Sequence, residues 1–394
     1  MPKPTKVLFL APGCFDKGGI SRYCRYQIDA LREIMGTENV RVLSLLGPDP
    51  EGFETPYLVT WHGPAPNSTK AARAGFVLQA LRQTLLWQPD VIHCAHVNFT
   101  PLASKLKVLS GATTVLNVYG LELWSGLNNA RRANMARMDH IIADCHATAD
   151  HVIAEAMHPD PPDVIWDCVD LDRFCPGPVE PHLAERYGLP NLDQKRVTMT
   201  LGRLSKEARH KGYDRLLEIW DAVSVRVPNA HLVICGRGND VERLKDKTRD
   251  LCLMDKVTFT GPIVEEDLAA IYRAAHVFAL VSDKGPGRGE GIPLTPLEAM
   301  ASGVPVLVGD EDGSREAIDG SRNGLVVSPR NLDAMTEALV MLLLETGQSR
   351  DTRVSEARAV AEERFGFAAF REKHREFYAA IGTPAALASR TRPN

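Results

Sequence analysis

The eight cysteines, Cys14, Cys24, Cys94, Cys145, Cys168, Cys175, Cys235 and Cys252, include no Cys-x-x-Cys pair. Several lie in apolar, strand-like runs. They read as reduced core thiols of a cytoplasmic protein rather than a disulfide framework. Together with the histidines they form no zinc-ligand spacing. No apolar run reaches the length of a bilayer span. Residues 1–6 are short and polar, which is not the pattern of a signal peptide. The net charge of −4 lacks the basic excess of nucleic-acid-binding proteins, so no nucleic acid is expected as a partner. Internal repeats and low-complexity segments are absent.

What is present is an ordinary globular composition, 44% apolar and 24% charged, in 394 residues. That length is large for one core, so two domains are expected. Apolar strands at 6–11, 40–46, 57–61, 91–96, 113–118 and 140–144 alternate with helices at 21–34, 71–87, 101–109, 128–138 and 147–155. This alternation predicts an α/β fold of doubly wound parallel sheets. Pro176-Gly177-Pro178 marks a domain boundary. The domains are expected at 1–175 and 196–365, with a linker at 176–195, a terminal helix at 366–382 and a tail at 383–394.

The chemistry is concentrated in 289–317. Glu290 stands just before a predicted helix and Glu298 stands inside it, with seven residues between them. Gly291, Ile292, Pro293 and Leu294 supply the helix start, where unpaired N–H groups and the helix dipole attract anions. Amides flanked by hydroxyl-seeking carboxylates suit a ligand carrying phosphates and several hydroxyls, such as a nucleotide sugar. The bland alternative is a loop–helix–strand unit with surface glutamates.

Other loops after strands add candidates. Gly18 and Gly19 open a helix and would let backbone approach a phosphate. Their loop is not Gly-x-Gly-x-x-Gly, which weakens a dinucleotide reading. Gly202-Arg203 follows the strand at 196–201, and Lys211 follows shortly after. Arg203 and Lys211 are the cations expected on a diphosphate, one bidentate and the other a point charge. His96 falls just past a strand end, where such sheets bind ligands, although a lone histidine there is more often structural. Tyr119 and Glu122 lie beyond another strand end. Glu122 reads equally as an acceptor-binding residue or a capping glutamate.

The string from Glu290 to Met300, with the following Gly303-Val304-Pro305-Val306 turn and Gly313-Ser314-Arg315-Glu316-Ala317, closely resembles the Glu-x7-Glu signature of glycosyltransferase family 4. Gly18-Gly19-Ile20, Gly202-Arg203-Leu204 with Lys211-Gly212, and Val169-Asp170 with Phe174 extend the resemblance over nearly the whole chain. It implies two facing Rossmann-like domains (the GT-B fold) and a retaining, metal-independent hexosyltransferase. The donor, a UDP- or GDP-sugar, would sit on the C-terminal domain and the acceptor mainly on the N-terminal one.

On that resemblance, Arg203 and Lys211 would stabilise the leaving diphosphate. Glu298 would hold the ribose, and Glu290 with the amides of Gly291 to Leu294 the sugar. Gly236, Arg237 and Ile263 would lie around the base. Many relatives carry His-Gly where this chain has Tyr119-Gly120, so Tyr119 replaces a histidine that contacts the donor sugar. His96 and Glu122 would meet the acceptor. We find no Asp-x-Asp at a strand end fitting this cleft, and no cofactor is expected. The acceptor would be a glycan or lipid-linked molecule of bacterial surface polysaccharide or glycoconjugate synthesis. A glycoside hydrolase using both glutamates has no need of phosphate-binding cations. A sugar-nucleotide epimerase of the same fold and a nucleotide-sugar-binding pseudoenzyme stay open. From Lys70 to Arg137, eight basic residues face only Asp90 and Glu122. Peripheral contact with the inner face of the cell membrane is therefore weighed against a merely solvated surface.

Overall fold

The computed structural model describes residues 5–16, 18–49, 57–285 and 287–381. Two compact units divide the chain, one of residues 1–168 with 367–394, the other of 169–366. The expected tail at 383–394 lies outside the described residues.

The first unit runs β1 (Val7–Ala11), α1 (Gly19–Met35), β2 (Val40–Ser44), β3 (Trp61–His62), α2 (Lys70–Trp87), β4 (Val91–Cys94), α3 (Thr100–Ser110), β5 (Thr113–Val118), α4 (Leu121–Trp124), α5 (Asn129–Met135), β6 (His140–Ala143), α6 (His146–Ala154) and β7 (Asp163–Val164). Its strands form one parallel sheet in the order β3-β2-β1-β4-β5-β6-β7. The strand expected at 57–61 shrinks to Trp61–His62, and before it Thr60 N donates to Val42 O of β2 at 2.9 Å.

Strand β1 is buried along its whole length, and its alternation feeds two cores. Val7, Phe9 and Ala11 face one side with Tyr23, Ile28 and Leu31 of α1. Leu8 and Leu10 face the other with Phe76 and Ala80 of α2 and Ala103 and Leu106 of α3. Helix α2 starts cleanly because Thr69 Oγ1 accepts from Ala72 N at 3.0 Å.

The second unit runs α7 (Pro181–Tyr187), β8 (Arg196–Leu201), α8 (Tyr213–Arg226), β9 (Ala230–Cys235), α9 (Val241–Asp250), β10 (Val257–Gly261), α10 (Leu268–Tyr272), β11 (Val277–Leu280), α11 (Leu294–Ala301), β12 (Val306–Gly309), β13 (Gly324–Val327), α12 (Leu332–Leu344) and α13 (Gly347–Val360). Its sheet is parallel, in the order β10-β9-β8-β11-β12-β13. The segment expected as a linker packs with this unit, where the Tyr187 hydroxyl donates to Asp267 Oδ2 at 2.7 Å.

The last helix, α14 (Phe367–Ile381), belongs to the first unit, where Phe370, Phe377 and Tyr378 join the α1 side of the core. A fully buried polar network ties it down. His93 Nε2 donates to Asn117 Oδ1 at 2.7 Å, and Gln27 Nε2 donates to the same oxygen at 3.1 Å. His374 Nε2 lies 2.9 Å from Gln27 Nε2, and His93 Nδ1 meets the Tyr378 hydroxyl.

Candidate functional site

Strand order reverses in the second sheet between β8 and β11. Open α/β sheets bind ligands beyond the strand carboxyl ends at such a switch point. The segment after β8 carries Gly202 and Arg203, then a 3₁₀ turn at Lys206–Lys211. The segment after β11 leads through Asp283 to Glu290. The two are joined across the reversal, since Asp283 N donates to His210 O at 2.9 Å.

At this junction Lys211 Nζ lies 2.7 Å from Glu290 Oε1, with the side chains 13% and 17% exposed. His210 Nε2 donates to the same oxygen at 2.8 Å. Burial would raise the Glu290 carboxyl, but the Lys211 ammonium and the His210 ring outweigh it and hold the group down at about 2. Glu290 is therefore a carboxylate at any physiological pH. Its backbone is fixed as well: Glu290 N donates to Asp312 Oδ2 at 2.9 Å, and Gly313 N donates to Glu290 O at 3.1 Å.

Backbone crowding decides which residues fit. Gly212 has φ +88°, and a Cβ there would lie 2.4 Å from Val281 O. A Cβ on Gly202 would lie 2.6 Å from the Tyr213 hydroxyl and 3.4 Å from Lys211 Cδ. A Cβ on Gly236 would meet Gly202 O at 1.9 Å. Glycine is thus required where the strand ends converge. Gly202 N donates to Cys235 O and Gly236 N to Gly261 O, while Leu204 N donates to Arg237 O, so three strand ends form one ledge. Arg203 and Arg237 stand exposed on it, and Ile263 is half-buried just beyond Gly261.

Helix α11 starts at Leu294 after Pro293, whose side chain offers no cap. Its first-turn N–H groups thus take no acceptor from the capping residue. Glu298 sits inside it, 2% exposed, and Oε2 accepts from the Tyr272 hydroxyl at 2.6 Å. The structure therefore makes Glu290 a mostly buried carboxylate paired with Lys211 and Glu298 a buried one bonded to Tyr272.

Asp310-Glu311-Asp312 follows β12 directly, an Asp-x-Asp at a strand end, where none fitting this cleft was expected. Asp312 is occupied with the backbone of Glu290 and Ser314. Glu311 accepts from Arg330 Nη2 at 2.9 Å. Among the described residues no group of three or more His, Cys, Asp or Glu is placed to hold a metal ion.

The candidates of the first unit fare differently. Gly18 N donates to Asp16 Oδ1 at 2.7 Å, and Ser21 Oγ donates to Asp16 Oδ2 at 2.7 Å. Asp16 thus sits beside the start of α1, bonded to Gly18 N and the Ser21 hydroxyl. Gly19 stays open, with no atom within 4 Å of a Cβ built on it. Tyr119 is in the core: its ring meets Tyr23 edge-on at 5.3 Å and its hydroxyl lies 3.9 Å from Cys24 Sγ. Apolar packing draws the long phenol inward, toward α1. Glu122 Oε1 accepts from Tyr119 N at 2.7 Å, which is the capping role, and burial pushes its carboxyl up to about 7. His96 Nδ1 accepts from Asn98 N at 3.2 Å as the cap of a short turn, and burial and then Arg131 lower it to about 4.

His210, Tyr213 and Asp312 join the junction without having been candidates from the sequence. The Tyr213 hydroxyl and His210 Nδ1 are buried without a hydrogen-bond partner among the described residues. Both residues flank Lys211-Gly212 in the chain, which was the available signal. Asp312, two residues before Ser314, follows the pattern of a capping aspartate.

Among the described residues no helix is long and apolar enough to cross a membrane. Residues 17–173 match Glycosyltransferase Family 4, and residues 185–360 match Glycosyl transferases group 1. A GDP-mannose-dependent alpha-(1-6)-phosphatidylinositol monomannoside mannosyltransferase of Mycobacterium tuberculosis is 36% identical over 180 residues, 45% of this chain and 45% of that protein. Mannosylfructose-phosphate synthase of Agrobacterium fabrum is 36% identical over 41% of this chain and 35% of its own length. The match thus spans less than half of these curated relatives. Anabaena HepE, solved with UDP, has TM-score 0.75 at 17% identity, covering 95% of this chain and 100% of that one. Sucrose-phosphate synthase of Thermosynechococcus elongatus has TM-score 0.74 at 19% identity, over 95% and 99% of the two chains. These two likenesses speak for the fold, which is GT-B. With both sheets in this order and both halves matched, the chain belongs to glycosyltransferase family 4.

Proposed function

We propose that this protein is a retaining, metal-independent glycosyltransferase. It would move a hexosyl group from a GDP- or UDP-sugar to a glycan or lipid-linked acceptor of surface glycoconjugate synthesis. The observation that carries the proposal is the Lys211–Glu290 pair at 2.7 Å. Removing one member of a mostly buried pair leaves an uncompensated charge. Phosphate alone would satisfy Lys211 and leave Glu290 with His210 only. A sugar alone would do the reverse. A nucleotide sugar replaces both partners at once, with phosphate oxygens on Lys211 and hydroxyl donors on Glu290.

In the transition state, charge grows on the leaving diphosphate. Lys211, the exposed Arg203 and the first N–H groups of α11 stabilise it without reorganisation. Glu290, held ionised, orients the sugar. Glu298 would hold the ribose hydroxyls beside the Tyr272 hydroxyl, and Gly236, Arg237 and Ile263 would border the base. The GDP-mannose dependence named for the mannosyltransferase relative makes GDP-mannose the first donor to try. Contact with a lipid leaflet suits a lipid-linked acceptor. Tyr119, turned toward Cys24, favours one second reading, a protein that binds a nucleotide sugar without transferring it.

Thermal-shift measurements with UDP, GDP, ADP, dTDP and CMP, with and without EDTA, test the proposal on wild type and Glu298→Gln. A ligand at about a hundred times its Kd stabilises by roughly 2.7 kcal/mol. One diphosphate should stabilise wild type, less so the variant, and EDTA should change nothing. No response to any nucleotide would sink the transferase reading. Binding followed by no transfer to any acceptor would leave the pseudoenzyme.

A further inference from the structure

Tyr213 opens helix α8 directly after Gly212, whose φ of +88° and closeness to Val281 O fix the direction in which the next side chain leaves. Its ring lies in the core of the second unit with Leu204, Leu216 and Val281. A phenylalanine would fill that place equally well. The hydroxyl adds nothing to the packing, and it is buried without a hydrogen-bond partner among the described residues. A buried donor left unpaired costs stability. The hydroxyl is thus a cost to folding that an acceptor on a ligand would remove.

The phenol tip ends at the junction. Its oxygen lies 2.6 Å from the point where a Cβ on Gly202 would stand, and Lys211 Cδ lies 3.4 Å from the same point. The missing side chain of Gly202 therefore leaves a space that the hydroxyl and the lysine stem share. Neither backbone group of Gly202 serves the hydroxyl. The N–H donates to Cys235 O at 3.1 Å, and the carbonyl oxygen lies against Gly236.

The charges that act on the phenol are those of the candidate site, Glu290 and Arg203. Burial, followed by the Glu290 carboxylate, raises it far above its ordinary value, so it is a neutral donor at any physiological pH. Glu290 Oε1 already receives Lys211 and His210. With Lys211 drawn to that carboxylate, its stem closes the space over Gly202.

We infer that the Tyr213 hydroxyl is a further ligand-binding group of this junction, donating to a phosphate oxygen of the bound nucleotide beside Lys211 and Arg203. The inference rests on the nucleotide-sugar reading of the site. As phosphate draws the Lys211 ammonium off Glu290, the stem leaves the space over Gly202 and the hydroxyl gains its acceptor. A hydrogen bond to a charged oxygen is stronger than one between neutral groups. The phenol, fixed by its packing, holds that oxygen in one place, whereas the flexible lysine follows the charge. A sugar hydroxyl fits this point less well, because two cations beside it favour an anion.

Titration calorimetry with GDP and UDP tests it on wild type, Tyr213→Phe, Glu290→Gln and the double variant, beside thermal melts without nucleotide. Tyr213→Phe should weaken the diphosphate that binds wild type by roughly 10- to 100-fold, the usual loss for a bond to a charged group. Its melting temperature should match or exceed that of wild type, because an unpaired buried group is gone. The same loss should appear when the double variant is compared with Glu290→Gln. Three results would overturn the inference: an affinity unchanged by Tyr213→Phe, a loss of affinity accompanied by a fall in melting temperature, or a loss that vanishes in the Glu290→Gln background, which would give the hydroxyl to the carboxylate. Failure of both nucleotides to bind wild type would sink the nucleotide reading and this inference with it. Binding that Tyr213→Phe leaves unchanged would sink this inference alone.

Discussion

Lys211 Nζ and Glu290 Oε1, 79 positions apart in the chain, meet at 2.7 Å where the second sheet reverses its strand order. The ammonium keeps the carboxylate ionised, and the carboxylate keeps the cation aimed at the strand ends. In Lys211→Met, Glu290 retains only His210. Transfer should fall by roughly 10²- to 10³-fold, the usual effect of losing one preorganised donor. Lys211→Arg should recover part of it. Initial rates with the donor identified by thermal shift check this, and a variant within threefold of wild type would remove Lys211 from the chemistry.

The same pair sets an acid limb of stability. The folded Glu290 carboxyl is lowered from 4.5 to about 2. Its stabilising contribution is complete above about 4.5 and is lost as pH falls through that interval to about 2. Glu290→Gln should therefore unfold with a shallower dependence on pH below 4.5 than wild type. Acid titrations followed by circular dichroism measure the difference, and coincident curves would contradict it.

His93 and His374 act on a higher window in the first unit. Burial lowers His93 from 6.5 to about 3 and His374 from 6.5 to about 4. Both stay neutral in the fold while the unfolded chain takes up protons below 6.5. Stability should thus decline from pH 6.5 downward, to about 4 for His374 and about 3 for His93. His93→Gln/His374→Gln should lower the melting temperature near neutrality and flatten its fall between pH 6.5 and 4. A scan of melting temperature against pH distinguishes the two slopes.

Gly212 sets the angle at which Lys211 leaves its turn. With φ +88° and Val281 O at 2.4 Å from a built Cβ, Gly212→Ala combines backbone strain with a clash. It should destabilise by about 1–3 kcal/mol and also weaken nucleotide binding. Gly19→Ala, where nothing lies within 4 Å, is the matched control and should change stability by less than about 1 kcal/mol. Denaturant melts and nucleotide titrations of both variants make the comparison.

Much of the molecule is written locally. The buried strands, the helix starts at Thr69 and Asn331, and the glycines at strand ends follow from apolar runs, capping oxygens and backbone freedom within a few residues. So does the grouping of Glu290 with a helix start, and the predicted strand at 196–201 is the observed β8. Side-chain direction was not legible. Tyr119 and Glu122 look alike in the chain as polar residues past a strand, but Tyr23 and Cys24 of α1 draw the phenol inward while the carboxylate bends back to cap it. Asp16 at the start of α1 and the Tyr272 bond to Glu298 likewise depend on what folds against them. The exposed leucines of α2 are the clearest case: a residue's apolarity is a property of the sequence, but which side of a helix meets the core is decided by the sheet beneath it. Composition and periodicity determined two wound sheets and the residue types of a phosphate-and-hydroxyl site. Only the tertiary structure decided which charges pair, because pairing depends on distance and burial between segments that the chain order keeps far apart.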